Sequence, residues 1–84
     1  MKRNLTNIAV KNAKPTAEGK PVKITDGGGL YLLVNKTGKY WRYNYRYLKK
    51  QKTLALGVYP EISLAQARER HRKAREQLAK YSKD

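Results

Sequence analysis

The feature that most restricts the fold of this chain is an alternating stretch, YWRYNYRY, which runs from Tyr40 to Tyr47. Side chains on a β-strand point alternately to the two faces of the sheet. The odd-numbered residues of the stretch are all aromatic, whereas the even-numbered ones are Tyr40, Arg42, Asn44 and Arg46. A sheet with one face on a hydrophobic core and the other in solvent gives this pattern. The stretch therefore predicts the central strand of an antiparallel sheet.

The charge around this strand has one sign. Residues 27–60 contain no Asp or Glu, and their seven basic residues are Lys36, Lys39, Arg42, Arg46, Lys49, Lys50 and Lys52. Alternating Arg and Asn side chains are also typical of an ordinary solvated sheet face. Soluble surfaces usually mix both signs of charge, however, so the missing acids favour a surface that binds a polyanion.

The totals for the chain agree with that interpretation. Its 84 residues make one small domain, and 20 Lys and Arg against 6 Asp and Glu give a formal net charge of +14. Such a charge attracts nucleic acid, an anionic membrane surface or an acidic protein. A membrane-surface helix carries large apolar residues, whereas the helix predicted below offers mostly Ala. Nucleic acid is therefore favoured, and no membrane partner is expected.

Several other classes of protein are disfavoured. The chain has no Cys, which excludes disulfides and thiolate metal sites. No apolar run approaches the roughly 18 residues of a membrane span, and the N-terminus lacks a secretory signal, so we expect a soluble, cytoplasmic protein. The only histidine, His71, falls on the apolar stripe of a predicted helix, and the acids are scattered. We expect no catalytic residue, no metal and no cofactor.

Further strands and turns flank the central strand. The sequence predicts a short strand over Val22–Thr25, a turn at Asp26 and the three glycines after it, and a strand over Leu30–Val34. A four-residue loop at 35–38 gives the pairs Leu32–Trp41 and Leu30–Tyr43, and one at 48–51 gives Tyr45–Leu54 and Tyr43–Leu56. Both registers place apolar residues opposite aromatic ones on a single face.

Two helices are predicted, one at each end. Ser63 and Gln66 have the spacing of a capping box, and the apolar stripe of the following helix is Leu64, Ala67, His71, Ala74 and Leu78. A short N-terminal helical turn is capped by Thr6, with Ile8, Ala9 and Ala13 as its apolar side. The predicted fold class is α+β, with a three- to four-stranded antiparallel sheet backed by the C-terminal helix.

The open face of such a sheet is suited to the major groove of DNA, which admits a narrow β-ribbon. There Arg pairs with guanine and Asn with adenine, Thr contacts a base or a phosphate, and Lys neutralises phosphates. The predicted DNA-binding residues are Lys39, Tyr40, Arg42, Asn44, Arg46, Lys49, Lys50, Lys52 and Thr53. The tail from Met1 to Arg3 is a further candidate for phosphate contacts.

Two other functions remain open from the residues alone. Sheet aromatics stack on unpaired bases in some proteins, and the helix is expected to leave Tyr31 and Tyr40 free, so a module for single-stranded RNA or DNA is one alternative. A protein-interaction domain is the other.

Four segments carry a family resemblance: LTNIAVKNAKP, ITDGGGLYLLV, GKYWRYNYR and KTLALGVYPEISLAQAR. They resemble the N-terminal domain of prophage and genomic-island integrases of the tyrosine recombinase family, over nearly the whole chain. The resemblance implies that residues 1–84 form a single domain that binds arm-type DNA sites, cut from a longer integrase whose core-binding and catalytic domains are absent. None of the seven tyrosines corresponds to the nucleophile of that family.

The same resemblance implies the setting. The partner is double-stranded DNA at the arms of an attachment site, together with other integrase protomers and accessory DNA-bending or excision factors, in a bacterial cytoplasm. This sequence departs from the family at Leu48–Gln51, where relatives often have glycines, and at Asn44, where they often have a basic residue.

Overall fold

The computed structural model describes residues 3–81, in which four strands and two helices follow one another along the chain. In chain order the elements are α1 (Asn7–Asn12), β1 (Val22–Gly27), β2 (Leu30–Asn35), β3 (Gly38–Tyr47), β4 (Lys50–Tyr59) and α2 (Leu64–Tyr81). The strands form one antiparallel sheet in the order β1-β2-β3-β4. The predicted α+β class, with a sheet backed by a C-terminal helix, is confirmed.

The first hairpin has the predicted register. Leu32 pairs with Trp41 and Leu30 with Tyr43. The Asn35 side chain closes the turn, because its Oδ1 accepts hydrogen bonds from the backbone N–H groups of Thr37, at 2.9 Å, and of Gly38, at 3.1 Å. This is the local bonding for which Asn is favoured in turns.

The register predicted for the second hairpin is wrong by two residues. The connection is a two-residue loop of Leu48 and Lys49, with φ of 52° and 65°, rather than a loop over 48–51. A two-residue hairpin loop of the type I′ kind requires a positive φ angle at both of its residues. The observed pairs are Tyr47–Lys50, Tyr45–Lys52 and Tyr43–Leu54. Because side chains alternate with period two, this shift leaves Tyr43, Tyr45 and Leu54 on their predicted face.

A β-bulge in β4 shifts the register between β3 and β4 by one residue. Arg42 pairs with Ala55 and Trp41 with Gly57, so Leu56 is an extra residue with its side chain in the core. The Arg70 guanidinium donates to the Leu56 carbonyl at 2.9 Å. Gly57 has φ of 138°, and a Cβ there would lie 2.4 Å from Cγ1 of Ile62. Only glycine fits this close approach without displacing the chain.

The core lies between the sheet and α2. Trp41 is fully buried, and its Nε1 donates to the Ile62 carbonyl at 2.7 Å, which fixes the segment between β4 and α2. The predicted capping box is present: the Ser63 N–H donates to Gln66 Oε1 at 2.9 Å, and the Gln66 N–H to Ser63 Oγ at 3.2 Å. The buried apolar side chains are Leu5, Val10, Leu30, Leu32, Val34, Trp41, Tyr43, Leu56, Ile62, Leu64 and Ala67.

Helix α1 forms as predicted but buries a different residue. The Ala9 N–H donates to the Thr6 side chain at 3.1 Å, so Thr6 is the cap. Ile8, expected on the apolar side, is 72% exposed, and Val10 is buried instead. Lys39 on β3 explains the orientation, because its Nζ donates to the carbonyls of Val10, at 2.8 Å, and Lys11, at 2.7 Å.

Asp26 is a buried carboxylate rather than a residue of the predicted turn. Strand β1 continues through it to Gly27, with an irregularity of register at Asp26. Its oxygens accept two hydrogen bonds from Arg68 at 2.9 Å, one from the Leu5 N–H at 2.9 Å and one from Arg3 at 3.2 Å. Burial opposes ionisation, but the Arg68 and Leu5 hydrogen bonds and the charges of Arg68 and Arg3 outweigh it, so the pKa of Asp26 lies below its ordinary value.

His71 is packed, as the helix stripe predicts. Its Nδ1 lies 3.1 Å from the Arg3 guanidinium and its Nε2 lies 2.9 Å from the Gly28 carbonyl. A guanidinium only donates, so the imidazole carries its proton on Nε2 and is neutral. Burial and the charges of Arg3 and Arg75 lower the pKa of His71 against the opposing influence of the Gly28 hydrogen bond.

Neither helix of residues 3–81 is both long and apolar enough to cross a membrane.

Candidate nucleic-acid interface

The face of the sheet turned away from α2 is the candidate site, and we call it the open face. Strand pairing defines it, because residues directly opposite one another lie on the same face. Its members are Lys23 and Thr25 of β1, Tyr31 and Leu33 of β2, Tyr40, Arg42, Asn44 and Arg46 of β3, and Gln51, Thr53, Ala55 and Val58 of β4.

Arg42 lies at the centre of the open face. It pairs with Tyr31 on one side and Ala55 on the other, and its guanidinium carbon is 5.9 Å from the centroid of the Tyr40 ring. Its Nε is enclosed and has no hydrogen-bond partner. A charged donor left without an acceptor costs about 1–3 kcal/mol or more. The surrounding residues thus hold the Arg42 side chain in place and leave its Nε without an acceptor.

Two tyrosines, Tyr31 and Tyr40, lie beside Arg42 on the open face. Tyr31 is only 7% exposed, and Nζ of Lys23 lies 5.5 Å from the centroid of its ring. The Tyr40 hydroxyl is 2.8 Å from the Thr37 hydroxyl, and its ring is half-buried. The expectation that Tyr31 stands free to stack on bases is wrong, because its neighbours on β1 and β3 cover the ring.

Asn44 and Arg46 lie where the sheet narrows to a ribbon of β3 and β4. Strand β2 begins at Leu30, opposite Tyr43, so the last residues of β3 pair with β4 alone. Asn44 pairs with Thr53, whose hydroxyl donates to Asn44 Oδ1 at 2.8 Å. Arg46 pairs with Gln51, and both are exposed. Two strands about 4.8 Å apart fit a groove about 12 Å wide.

The predicted lysines are placed differently from the other candidates. Lys39 lies on the helix side, where it bonds to α1 and sits 5.3 Å from the centroid of the Tyr59 ring. Lys50 and Lys52 are exposed, but they pair with Tyr47 and Tyr45 and so belong to the helix side of the ribbon. Lys49 occupies the hairpin tip. Met1 and Lys2 lie outside the described residues.

The open face therefore brings together five of the nine predicted residues, Tyr40, Arg42, Asn44, Arg46 and Thr53. The prediction omitted Lys23 and Thr25 of β1, although the alternation in VKIT gives both the parity of this face. It also omitted Gln51, because that residue was assigned to the loop.

The electrostatics of the two sides differ. Strands β2, β3 and β4 contain no acidic residue, and the one acid of β1, Asp26, bonds to Arg3 and Arg68 on the helix side. Glu69 and Glu76 of α2 both contact Arg72. Within residues 3–81 no group of three or more His, Cys, Asp and Glu side chains is arranged to hold a metal ion. A positive, acid-free sheet face is the feature that remains to be explained.

The fold and this face define a small α+β domain with a basic sheet surface. The sequence profile of the family described as "Arm DNA-binding domain" matches residues 5–84, and the chain belongs to that family. It is thus a DNA-binding domain of the kind that integrases carry, as the sequence segments predicted.

Three relatives illustrate the match. The integrase of Enterobacteria phage P4 is 49% identical over 72 residues, which are 82% of this chain and 16% of the relative. The prophage integrase IntZ of Escherichia coli K12 is 43% identical over 81 residues, 93% of this chain and 20% of the relative. The putative protein IntB of the same organism is 63% identical over 51 residues, 60% of this chain and 13% of the relative. The chain thus spans a fifth or less of the length of each.

Proposed function

We propose that the open face enters the major groove of double-stranded DNA at arm-type sites, and that the chain thereby positions a longer integrase of the tyrosine recombinase class for integration and excision. The observation that carries the proposal is Arg42, a half-buried side chain held at the centre of a sheet face without acidic residues, between Tyr31 and Ala55 and beside the Tyr40 ring. The terminal nitrogens of its guanidinium would donate to guanine N7 and O6 or to phosphate oxygens.

The contacts divide into two kinds. Arg42, Asn44 and Arg46 are assigned to base edges, because they lie in a row along one strand of the open face. Lys49, Lys50 and Lys52 at the end of the ribbon are assigned to phosphates, which position the protein without reading sequence. Lys39 has the weakest support among the predicted residues, because its amine already bonds to two carbonyls of α1.

Duplex is favoured over single strands. Base stacking needs exposed aromatic faces, and Tyr31 is buried while Tyr40 is half-buried with its hydroxyl bonded to Thr37. A protein-interaction domain is the remaining alternative, and self-association in the absence of DNA would support it.

Fluorescence anisotropy tests the proposal. The 84-residue chain is titrated against duplex from the flanks of the attachment site, shuffled duplex and single strand, over a series of salt concentrations. We expect a preference for the flank duplex that persists as salt rises. Equal binding to all three ligands, with log affinity falling by roughly 0.9 per neutralised phosphate for each unit of log salt, would contradict base reading.

Three variants that each remove one positive charge locate the contact. Replacing Arg42 or Arg46 by Ala should reduce discrimination between specific and shuffled duplex by roughly 1–3 kcal/mol per lost contact. Arg72→Ala is the matched control, because Arg72 lies on the solvent side of α2 and contacts Glu69 and Glu76. The assignment to the open face fails if Arg42→Ala and Arg72→Ala have equal effects.

A further inference from the structure

Asn44 and Thr53 form a cross-strand pair in which the Thr53 hydroxyl donates to Asn44 Oδ1 at 2.8 Å. Resting on the proposed function, we propose that this pair selects an adenine in the major groove, with Asn44 reading the base and Thr53 acting as a positioning residue. Thr53 was predicted above to contact DNA itself. Its hydroxyl proton is already donated to Asn44, which assigns it to the amide instead.

The chemistry of the pair suits adenine. Adenine presents an acceptor, N7, and a donor, the N6 amino group, and an Asn amide matches both. Thr53 occupies one lone pair of Oδ1, which leaves the second for the N6 amino group and the Nδ2 hydrogens for N7. The terminal torsion of an exposed Asn is broad, so a hydrogen bond from the neighbouring strand holds the amide plane before DNA arrives.

The neighbouring arginines set the spacing of the site. Arg42 and Arg46 lie two residues to either side of Asn44 on the same strand and face. Side chains two residues apart on a strand are separated by about 6.8 Å, and bases along one DNA strand by about 3.4 Å. Consecutive side chains in the row Arg42, Asn44 and Arg46 therefore contact adjacent or alternate base pairs. The expected site has an A·T pair between two G·C pairs, with at most one unread pair on either side.

The backbone around Asn44 is fixed as well. Its N–H donates to the Gly29 carbonyl at 2.8 Å, and a Cβ on Gly29 would lie 2.3 Å from the Asn44 carbonyl oxygen. The β1–β2 turn thus rests against this point of β3. The pair has a defined position relative to Arg42, as a reader of one base requires.

The experiment begins by selecting preferred duplexes from a random library with the unaltered chain. Dissociation constants are then measured for the selected duplex, for three duplexes in which the central A·T pair is replaced, and for one with 7-deazaadenine, which lacks N7. The variants are Thr53→Val, which keeps the shape and removes the hydroxyl, Thr53→Ser, which restores it, and Asn44→Ala. Thr16→Val is the matched control, since Thr16 is exposed in the segment between α1 and β1 and does not belong to the open face.

We expect the unaltered chain to prefer central adenine by about tenfold, and 7-deazaadenine to remove most of that preference. Thr53→Val should reduce it to about threefold or less with little change in binding to the other three duplexes. Thr53→Ser and Thr16→Val should keep it. The inference is overturned if Thr53→Val retains the preference, or if the selected sites have another central base. A selection that returns no preferred duplex contradicts the proposed function itself.

Discussion

Replacing Asp26 by Asn should destabilise the domain severely, because that carboxylate ties three separate parts of the chain together. It is fully buried, and it accepts hydrogen bonds from Arg68 on α2, Arg3 near the N-terminus and the backbone of Asn4 and Leu5. Asparagine has the same size but no charge, and its amide nitrogen cannot accept from a guanidinium.

The magnitude follows from burial. Removing one partner of a buried ion pair costs about 3–5 kcal/mol, because the other charge is left uncompensated. The Arg3 and Arg68 side chains are 27% and 31% exposed, so water relieves part of their loss. We therefore place the loss at the lower end, about 3 kcal/mol. For a domain of this size that lowers the melting temperature by roughly 12–24 °C.

Thermal and urea unfolding, followed by circular dichroism and by fluorescence of the single tryptophan, Trp41, measure this loss. Glu18→Gln is the control, because Glu18 forms an exposed pair with Lys20 at 3.6 Å, and it should leave stability unchanged. A loss below about 1 kcal/mol for Asp26→Asn would refute the reasoning, since a buried carboxylate with two charged partners cannot contribute so little.

Three further predictions concern stability. Both His71 and Asp26 have lower pKa values in the folded chain than in the unfolded chain. As the pH falls, the unfolded chain therefore binds more protons than the folded one. Stability measured by urea titration should decrease as the pH drops below about 6.5 and again below about 3.9. Gly57→Ala should lower stability by about 2 kcal/mol or more, because its Cβ would meet Ile62 at 2.4 Å; an unchanged melting temperature would contradict the close approach. Replacing the loop Leu48–Lys49, where both φ values are positive, by Asn-Gly should raise stability by about 1 kcal/mol in the same assay; a loss would show that the loop residues are held by other contacts.

The two hairpins show what local sequence specifies. The first turn contains Asn35 and Gly38, residue types with a known turn chemistry, and its register is predictable. In the second, Leu48 and Lys49 adopt backbone conformations that favour Gly or Asn. Neither residue type signals a two-residue loop, so the sequence alone misplaced it. Gly57 was expected to end the sheet after Leu56, although a glycine beside a strand pattern was a usable signal for a bulge, because an isolated strand glycine often marks one.

Asp26 was not predictable in the same way. A sequence of Asp followed by three glycines reads as a surface turn. The partners that bury it, Arg3 and Arg68, are 23 and 42 residues away along the chain. No local pattern links these positions, because their contact depends on how α2 and the N-terminal segment pack against β1. The predicted residues of the open face on β3 and β4 lie on that face despite the error in register, because a shift of two residues keeps each side chain on its own face.

The acidic side chains of β1 and α2 lie on the helix side of the sheet and not on the open face. Asp26 holds Arg3 and Arg68, and Glu69 and Glu76 hold Arg72, so on the helix side acidic side chains neutralise part of the basic charge. Arg42 and Arg46 lie on a face whose four strands carry no other acid than Asp26, which is directed away from it. The helix side nevertheless has more basic than acidic residues, so the two sides differ in the presence of acids and not in the sign of their charge. A duplex bound at the open face would therefore meet the positive charges of Arg42 and Arg46 with no acidic side chain to oppose it.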